Sequence, residues 1–209
     1  NIHFRWYNRN LAEAVTLAGQ LSIKTAEKAV NSWMNKLFKN DKDYVIAADT
    51  DSLYVNMEDM VNDRFKDLPF DPEETAVVEF LDKVGDGPLQ DVIDKAYNDL
   101  AEYVNAREQK MFMKREGISS KGIWTAKKHY ILNVWNNEGV QYTKPKLKMM
   151  GIEAVKSSTP SACRDSLKKS FEVIMNKSEG NLQDYVRKFK QKFDEMPIED
   201  VCFPRSVKG

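Results

Sequence analysis

The hydrophobic positions between Leu11 and Leu37 recur at spacings of three to five residues. This spacing places their side chains on one broad stripe of a helix of about 28 residues, roughly 40 Å long. Asn40 and Asp41 predict its end. The stripe consists of Leu11, Ala14, Val15, Ala18, Leu21, Ala26, Val30, Trp33 and Leu37.

Two short apolar runs follow, at residues 44–48 and 52–55, and each has the length of a β-strand. Because Asp49-Thr50-Asp51 separates them, the sequence predicts a tight hairpin with an acidic pair at its tip. In an extended segment, alternate residues point to the same face. We therefore expect Asp49 and Asp51 to project together.

The rest of the chain is predicted to change from helices to strands and back to helices. Helices are expected over 58–110 with interruptions at 68–72 and 85–88, and strands at 111–113, 123–126, 130–135 and around 140–142, with a turn at 136–139. After Gly151, Ser158 and Thr159 predict an N-cap with Pro160 as the first helical residue. That helix is expected to end near Asn176, and another begins at Gly180. The predicted fold class is α+β.

Length and composition allow one ample domain or two modest ones, since 209 residues are 42% hydrophobic and 31% charged. An intrinsically disordered chain is excluded. No apolar run approaches the roughly 20 residues that cross a bilayer, so we expect a soluble protein with no membrane partner. Cysteine usage favours an intracellular, cytoplasmic protein. Cys163 and Cys202 lack ligand partners at zinc-site spacing, which favours free thiols.

The net charge of zero hides an asymmetry along the chain. Residues 1–110 contain 13 Lys and Arg against 21 Asp and Glu, whereas residues 111–209 contain 19 against 11. A local excess of positive charge of this size suits a polyanion partner. A solvated basic face balanced by an acidic neighbour explains it equally well.

The acidic hairpin is a candidate metal site. Two carboxylates at the end of apolar strands repel each other, and a hard cation such as Mg²⁺ would relieve that repulsion. Two alternatives remain open for this short motif. Asx residues are common in turns for local hydrogen-bonding reasons, and an apolar strand followed by Asp-Thr-Asp is also similar to the first motif of haloacid-dehalogenase-type phosphatases.

The second candidate site is basic, at Lys127-Lys128-His129-Tyr130 within a run that reads as a strand. Alternation would put Lys128 and Tyr130 on one face with Trp124, and Lys127 and His129 on the other. Neighbouring cations in a strand are unfavourable unless a polyanion such as the DNA backbone lies beside them. An edge strand protected by lysines is the alternative.

Both motifs and their order resemble family B DNA polymerases, most closely those of T-even-like bacteriophages. Asp49-Thr50-Asp51-Ser52 is similar to motif C, although Ala47-Ala48 replaces its usual Tyr-Gly, and Lys127-Lys128-His129-Tyr130 fits the Lys-Lys-x-Tyr motif that holds primer–template DNA. The resemblance extends to Asn1-Ile2-His3-Phe4-Arg5-Trp6-Tyr7, to residues 122–135 and 144–153, and to Lys156-Ser157-Ser158-Thr159-Pro160.

The resemblance implies a partial palm at 1–151, with antiparallel strands packed on long helices, and a small helical partial thumb at 152–209. It implies that Asp49 and Asp51 are catalytic metal ligands in a site for two Mg²⁺ ions. Glu116 aligns with a carboxylate near that site, although an ordinary exposed strand residue is the alternative. Lys127, Lys128, Tyr130 and Lys156 would contact primer–template DNA. The lysines of residues 144–148 are further phosphate contacts, or a solvated face.

The family also needs motif A, which supplies another aspartate, and a fingers lysine that contacts the incoming dNTP. Neither motif occurs here. We therefore expect the chain to be inactive alone and to require an N-terminal polymerase part with the exonuclease, motif A and fingers. Nucleotidyl transfer in such a completed enzyme is one hypothesis, and a non-enzymatic module that binds duplex DNA is the other.

Overall fold

The computed structural model describes residues 3–69 and 72–205. Asn1 and Ile2 of the opening segment, and Phe70 and Asp71 of the expected interruption at 68–72, lie outside the described residues. None of the helices in the described part of the chain is both long and apolar enough to cross a membrane.

Helices and antiparallel strands alternate in the order that the sequence predicts, and the α+β class is confirmed. The helices are α1 (Arg9–Phe38), α2 (Glu58–Phe65), α3 (Glu74–Asp86), α4 (Pro88–Tyr103), α5 (Ser161–Asn176), α6 (Glu179–Phe193) and the short α7 (Ile198–Val201). The strands are β1 (Val45–Asp49), β2 (Ser52–Val55), β3 (Gly117–Ala126), β4 (His129–Asn137) and β5 (Val140–Met150).

The chain forms two compact units, unit 1 over Asn1–Glu116 and unit 2 over Gly117–Gly209. The division falls where helices give way to the three-stranded sheet, earlier than the domain boundary expected at residue 151. It nearly coincides with the change from acidic to basic composition. The assignment of a palm and a thumb stays a prediction.

The long helix α1 begins and ends as its sequence predicts. The Asn8 side chain accepts a hydrogen bond from Leu11 N at 3.1 Å, which caps the first turn. Lys39 closes the helix in the left-handed region, at φ 53°. Ala26 and Val30 of the apolar stripe are fully inaccessible, as is Met34 one turn further along, whereas Leu11, Val15, Leu21 and Leu37 are exposed.

The core of unit 1 lies between α1 and the acidic hairpin. Its buried members come from α1, α2, α3, α4 and β1, and from Tyr44 directly before β1. Helices α1 and α4 pack against each other, and the hairpin lies against α1. The buried core consists of Ala26, Val30, Met34, Tyr44, Val45, Met60, Val84, Ile93 and Tyr97.

Two asparagines of α1 fix the segment that leads into the hairpin. Asn31 Oδ1 accepts from Tyr44 N at 2.8 Å and from Val45 N at 3.2 Å. Asn35 exchanges two hydrogen bonds with the Lys42 backbone, at 2.8 and 2.9 Å. The start of β1 is therefore attached to the helix by polar groups as well as by apolar packing.

A hydrogen-bonded group around Asp59 fixes the base of the hairpin from the other side. Asp59 Oδ2 accepts from Tyr44 Oη and Lys42 Nζ, each at 2.7 Å, and from Asn40 Nδ2 at 3.3 Å. The Lys42 and Tyr44 hydrogen bonds lower the pKa of Asp59, while burial is the main cause that raises the pKa of Tyr44. The group joins the first turn of α2 to β1.

Unit 2 is built on the antiparallel sheet β3-β4-β5, with β4 in the centre. Buried residues on both faces of β4 include Ile131 and Val134, at 1% and 4% exposed. Lys121 Nζ of β3 donates to Met175 O at 2.8 Å, which attaches the sheet to the C-terminal turn of α5. The predicted turn before β5 is confirmed, and Glu138 and Gly139 form it with positive φ.

The chain leaving β5 passes directly beside the turn between β3 and β4. Gly151 has φ +69°, and a Cβ atom built on it would collide with the carbonyl oxygen of Lys128 and lie 3.0 Å from His129 Cδ2. Only glycine suits both the backbone conformation and the space. This close approach brings residues 151–156 to the same end of the sheet as Lys127 and Lys128.

Two local predictions are wrong. Residues 111–113 form no strand, because side chains bond their carbonyls: Gln90 Nε2 donates to Met113 O and Gln109 Nε2 to Met111 O, both at 2.8 Å. Pro160 is the N-cap of α5 rather than its first residue, since its carbonyl accepts from Arg164 N at 2.9 Å. The expected Ser158 or Thr159 cap is therefore absent.

We predict that Gly151→Ala destabilises unit 2 by more than Gly139→Ala does. Both glycines have positive φ, a strain of roughly 1 kcal/mol for alanine. Gly139 has nothing within 4 Å of its Cβ position, whereas Gly151 meets a backbone oxygen. Urea unfolding should give an extra loss of about 1–3 kcal/mol for Gly151→Ala. Equal losses would show that the close approach is not tight in solution.

Candidate functional site: an acidic hairpin tip and a basic sheet end

The tip of the acidic hairpin is a tight turn held by its own hydrogen bonds. Asp49 is the last residue of β1 and pairs with Ser52. Its carbonyl accepts from Asp51 N at 2.6 Å and from Ser52 Oγ at 3.1 Å. Thr50 Oγ1 donates to a carboxylate oxygen of Asp49 at 3.1 Å. The predicted hairpin with acidic residues at its tip is confirmed.

The expectation that Asp49 and Asp51 lie in an extended segment, with their side chains on the same face, is wrong. Thr50 has φ 53°, and Thr50 and Asp51 form the turn, so the segment is not extended and strand alternation does not relate Asp49 to Asp51. Asp49 is half-buried, whereas Asp51 is exposed. The turn therefore presents a more accessible carboxylate at Asp51 and a more supported one at Asp49.

The donor set fits a magnesium site only in part. Within residues 3–69 and 72–205, no group of three or more His, Cys, Asp and Glu side chains is placed to hold a metal ion. Asp49, Asp51 and Glu116 therefore do not form a complete ligand set here. Mg²⁺ commonly takes one or two carboxylates and fills its remaining positions with water and substrate phosphates. Metal binding by Asp49 and Asp51 stays a prediction.

Glu116 lies exposed in the segment just before β3, so it is not a strand residue. Its neighbour Arg115 is largely buried and forms ion pairs with Asp82 and Asp86 of α3, the second at 3.7 Å. These pairs attach the segment to α3 within unit 1. A role for Glu116 at a metal ion stays a prediction.

Lys127 and Lys128 form the two-residue turn between β3 and β4, which corrects the expectation that they lie inside a strand. Ala126 pairs with His129 across the turn, and Lys128 has φ 62°. Strand alternation therefore does not assign their side chains to opposite faces. Both lysines are exposed, and His129 Nδ1 lies 2.9 Å from Lys127 O.

Tyr130 sits one residue into β4, where it pairs with Trp124 of β3 and Met150 of β5. Trp124 and Tyr130 therefore share a face of the sheet, as predicted. Tyr130 is only 8% exposed, so most of its ring is part of the packed sheet. Its contact with DNA stays a prediction.

Lys156 lies at the same end of the sheet as the lysine turn. It follows a 3₁₀ turn at Glu153–Val155, and its ammonium nitrogen is 2.7 Å from Glu153 Oε1. This hydrogen bond lowers the pKa of Glu153, and the nearby charge of His129 acts in the same direction. Lys127, Lys128, His129, Glu153 and Lys156 therefore lie at one end of the sheet, which we call the basic sheet end.

The lysines of β5 are arranged along the edge of the sheet, beyond the basic sheet end. Lys144 and Lys146 are exposed, and Lys146 Nζ lies 4.1 Å from the centre of the Tyr142 ring. Lys148 is half-buried and pairs with Leu132 of β4. An edge strand that carries exposed lysines is also protected against pairing with other chains, so these residues do not by themselves indicate a ligand.

Sequence reasoning missed Gly151 and Glu153 as parts of the basic site. The signal for Gly151 was a glycine directly after a strand, which is often a position of positive φ or close approach. The signal for Glu153 was its spacing of three residues from Lys156, which allows an ion pair in a helical turn. Neither signal indicates the lysine turn, which is distant in sequence.

Comparison with known proteins agrees with the resemblance. Residues 26–187 match the family described as divergent family B DNA polymerase. The DNA-directed DNA polymerase of Enterobacteria phage T4 is 38% identical over 97% of this chain and 23% of its own length. That of Escherichia phage RB69 is 37% identical over 86% of this chain and 21% of its length.

The chain spans less than a quarter of the length of these relatives. The matched family region includes both candidate sites, from the acidic hairpin tip to Lys156. The predicted resemblance is confirmed. The chain belongs to the divergent family B DNA polymerases.

Proposed function

We propose that this chain forms the part of a family B DNA polymerase that contributes two carboxylates to the catalytic centre and holds the primer–template duplex. The observation that carries the proposal is the basic sheet end. There, the close approach of Gly151 to the Lys128 carbonyl places the segment that carries Lys156 beside the Lys127–Lys128 turn. Palm and thumb are the domains to which these parts would correspond.

Holding a duplex requires cations spaced along a surface and attached to a rigid support. The two turn lysines are exposed at the end of the sheet. They directly precede β4, the central strand, which provides the rigid support. Lysines that contact phosphates release counterions and position a duplex without reading its bases. A polymerase needs such contacts, because it must hold every sequence that it copies.

Asp49 and Asp51 would be the residues of this chain that hold Mg²⁺. When bound, two such ions stabilise the attacking and leaving oxygens of nucleotidyl transfer. The chain's own contribution is a hairpin whose base is fixed by Asn31, Asn35 and Asp59, so that Asp51 is presented on a rigid support. By resemblance, Asp51 is the stronger ligand and Asp49 the supporting one.

A second polypeptide segment is needed to complete the site, and the exposed half of α1 supports its existence. Leu11 and Val15 are 64% and 67% exposed, although they belong to the same stripe as the inaccessible Ala26 and Val30. An apolar stripe left open beside a packed core is typical of an interaction surface. We propose that the remaining polymerase part, with motif A and the fingers, covers it.

The completed enzyme would bind dNTP and primer–template DNA in the host cytoplasm if the chain is viral, and this chain alone would be inactive.

The alternative is a module that binds duplex DNA without catalysis, favoured by the cationic sheet end and by the lack of a complete metal-ligand set among the described residues. Membership in a polymerase family argues against the phosphatase alternative.

We predict that the double substitution Lys127→Gln and Lys128→Gln weakens duplex binding and reduces its dependence on salt. Each lost phosphate contact lowers the slope of log affinity against log salt by about 0.9, so the double variant should lose roughly 1.8. Fluorescence anisotropy with a labelled duplex, across a series of KCl concentrations, measures this slope.

The matched control is Lys66→Gln with Lys95→Gln, which removes the same charge from exposed lysines of unit 1 that pair with Asp63 and Asp99. The control should leave the slope within about 0.5 of the unsubstituted chain. Equal slopes for both double variants would contradict a duplex contact at the lysine turn.

We predict that Asp51→Asn strongly reduces complemented polymerase activity and leaves duplex binding unchanged. The chain is mixed with the part of the phage T4 polymerase that precedes the aligned segment, and primer extension is followed with Mg²⁺ present. Extension should fall about a hundredfold or more, as when one group that stabilises transition-state charge is removed.

Asp41→Asn is the control, since Asp41 is an exposed acid near the base of the hairpin. It should retain the activity of the unsubstituted mixture. Extension by the chain alone would contradict the need for a second part. Duplex binding without extension in any mixture would favour the non-catalytic module.

A further inference from the structure

Glu153 is the residue of the basic sheet end that a duplex-binding site does not explain. It places a carboxylate 2.7 Å from the ammonium group of Lys156, within the electrostatic reach of His129. A negative charge beside phosphate-binding groups opposes the binding of DNA. Its presence there calls for a physical reason.

The backbone around the Glu153–Lys156 pair is held by hydrogen bonds and buried neighbours, whereas the two side chains are exposed to solvent. Lys156 N donates to Glu153 O and Thr159 N to Lys156 O, both at 3.2 Å. Ala154 and Thr159 are buried, at 0% and 7% exposed, and hold this segment in unit 2. The side chains of Lys156 and Glu153 are 43% and 59% exposed. Lys156 therefore has a fixed origin and room to move its ammonium group.

The pair is of a kind that exchanges readily. Exposed ion pairs at this spacing are weak, because water screens both charges and the side chains lose freedom when they meet. A phosphate oxygen offers the lysine the same kind of charge-assisted hydrogen bond as the carboxylate does. A duplex on the adjacent lysine turn would present such oxygens close to Lys156.

We propose that Glu153 is a built-in competitor for the DNA backbone: it binds Lys156 when no duplex is present and releases it to a phosphate when one is bound. The inference rests on the proposed duplex-holding function, and it says that Glu153 limits the affinity of the chain for duplex DNA. Each duplex contact by Lys156 then requires the loss of the contact with Glu153. The site binds DNA more weakly than its lysines alone would, which suits an enzyme that must move along its template.

The test is duplex affinity of the full chain with Glu153→Gln, measured by fluorescence anisotropy between about 50 and 200 mM KCl. Glutamine keeps the length of the side chain and removes its charge. We expect about two- to fivefold tighter binding, the range over which exposed ion pairs act. The matched control is Glu138→Gln, an exposed acid in the turn at the opposite end of the same sheet. It should leave the affinity unchanged.

A second variant separates release of Lys156 from a general change in charge. In the Lys156→Gln background, Glu153→Gln should give a clearly smaller gain, because the group that Glu153 holds is gone and only the removed surface charge acts. An undiminished gain there, an equal gain from Glu138→Gln, or weaker binding by Glu153→Gln would each overturn the proposal. Failure of the proposed function shows separately, as an absence of salt-dependent binding by the unsubstituted chain.

Discussion

The close approach of Gly151 to the Lys128 carbonyl is the contact on which the basic site depends. Without it, the lysine turn and the segment carrying Glu153 and Lys156 would be two separate surface features. Because a Cβ atom at residue 151 would occupy the space of a backbone oxygen, the contact requires glycine. One small residue thus brings charges distant in sequence to one end of a sheet.

The acidic hairpin in unit 1 is supported differently, by polar groups at its base. Asn31 and Asn35 of α1 form hydrogen bonds with the backbone that leads into β1. Asp59 accepts hydrogen bonds from Tyr44 and Lys42. These directional hydrogen bonds add to the apolar packing that already specifies the register of the strand. The carboxylates at the tip therefore stand on a fixed base.

Much of the fold follows from periodicity and turn chemistry, because both are local. The ends of α1, the acidic hairpin and the turn at Glu138–Gly139 are decided by residues within a few positions of each other. The errors arise where distant groups decide. Gln90 bonds the carbonyl of Met113 and so replaces a strand partner. Lys128 adopts a positive φ, which its residue type does not predict, so the lysine pair lies in a turn instead of the expected strand. The Glu153–Lys156 pair joins residues that are close in sequence, but its position beside the lysine turn depends on the contact between Gly151 and Lys128, which are distant in sequence.

The most direct test of this arrangement is an NMR titration of the ¹⁵N-labelled chain with a short DNA duplex. If the basic sheet end is one binding face, the amides of residues 127–129 and 151–156 should shift together, at the same midpoint. The turn at Glu138–Gly139, at the far end of the sheet, should not respond. Shifts confined to one of the two basic segments, or centred on Glu138 and Gly139, would contradict a single site built on the Gly151 contact.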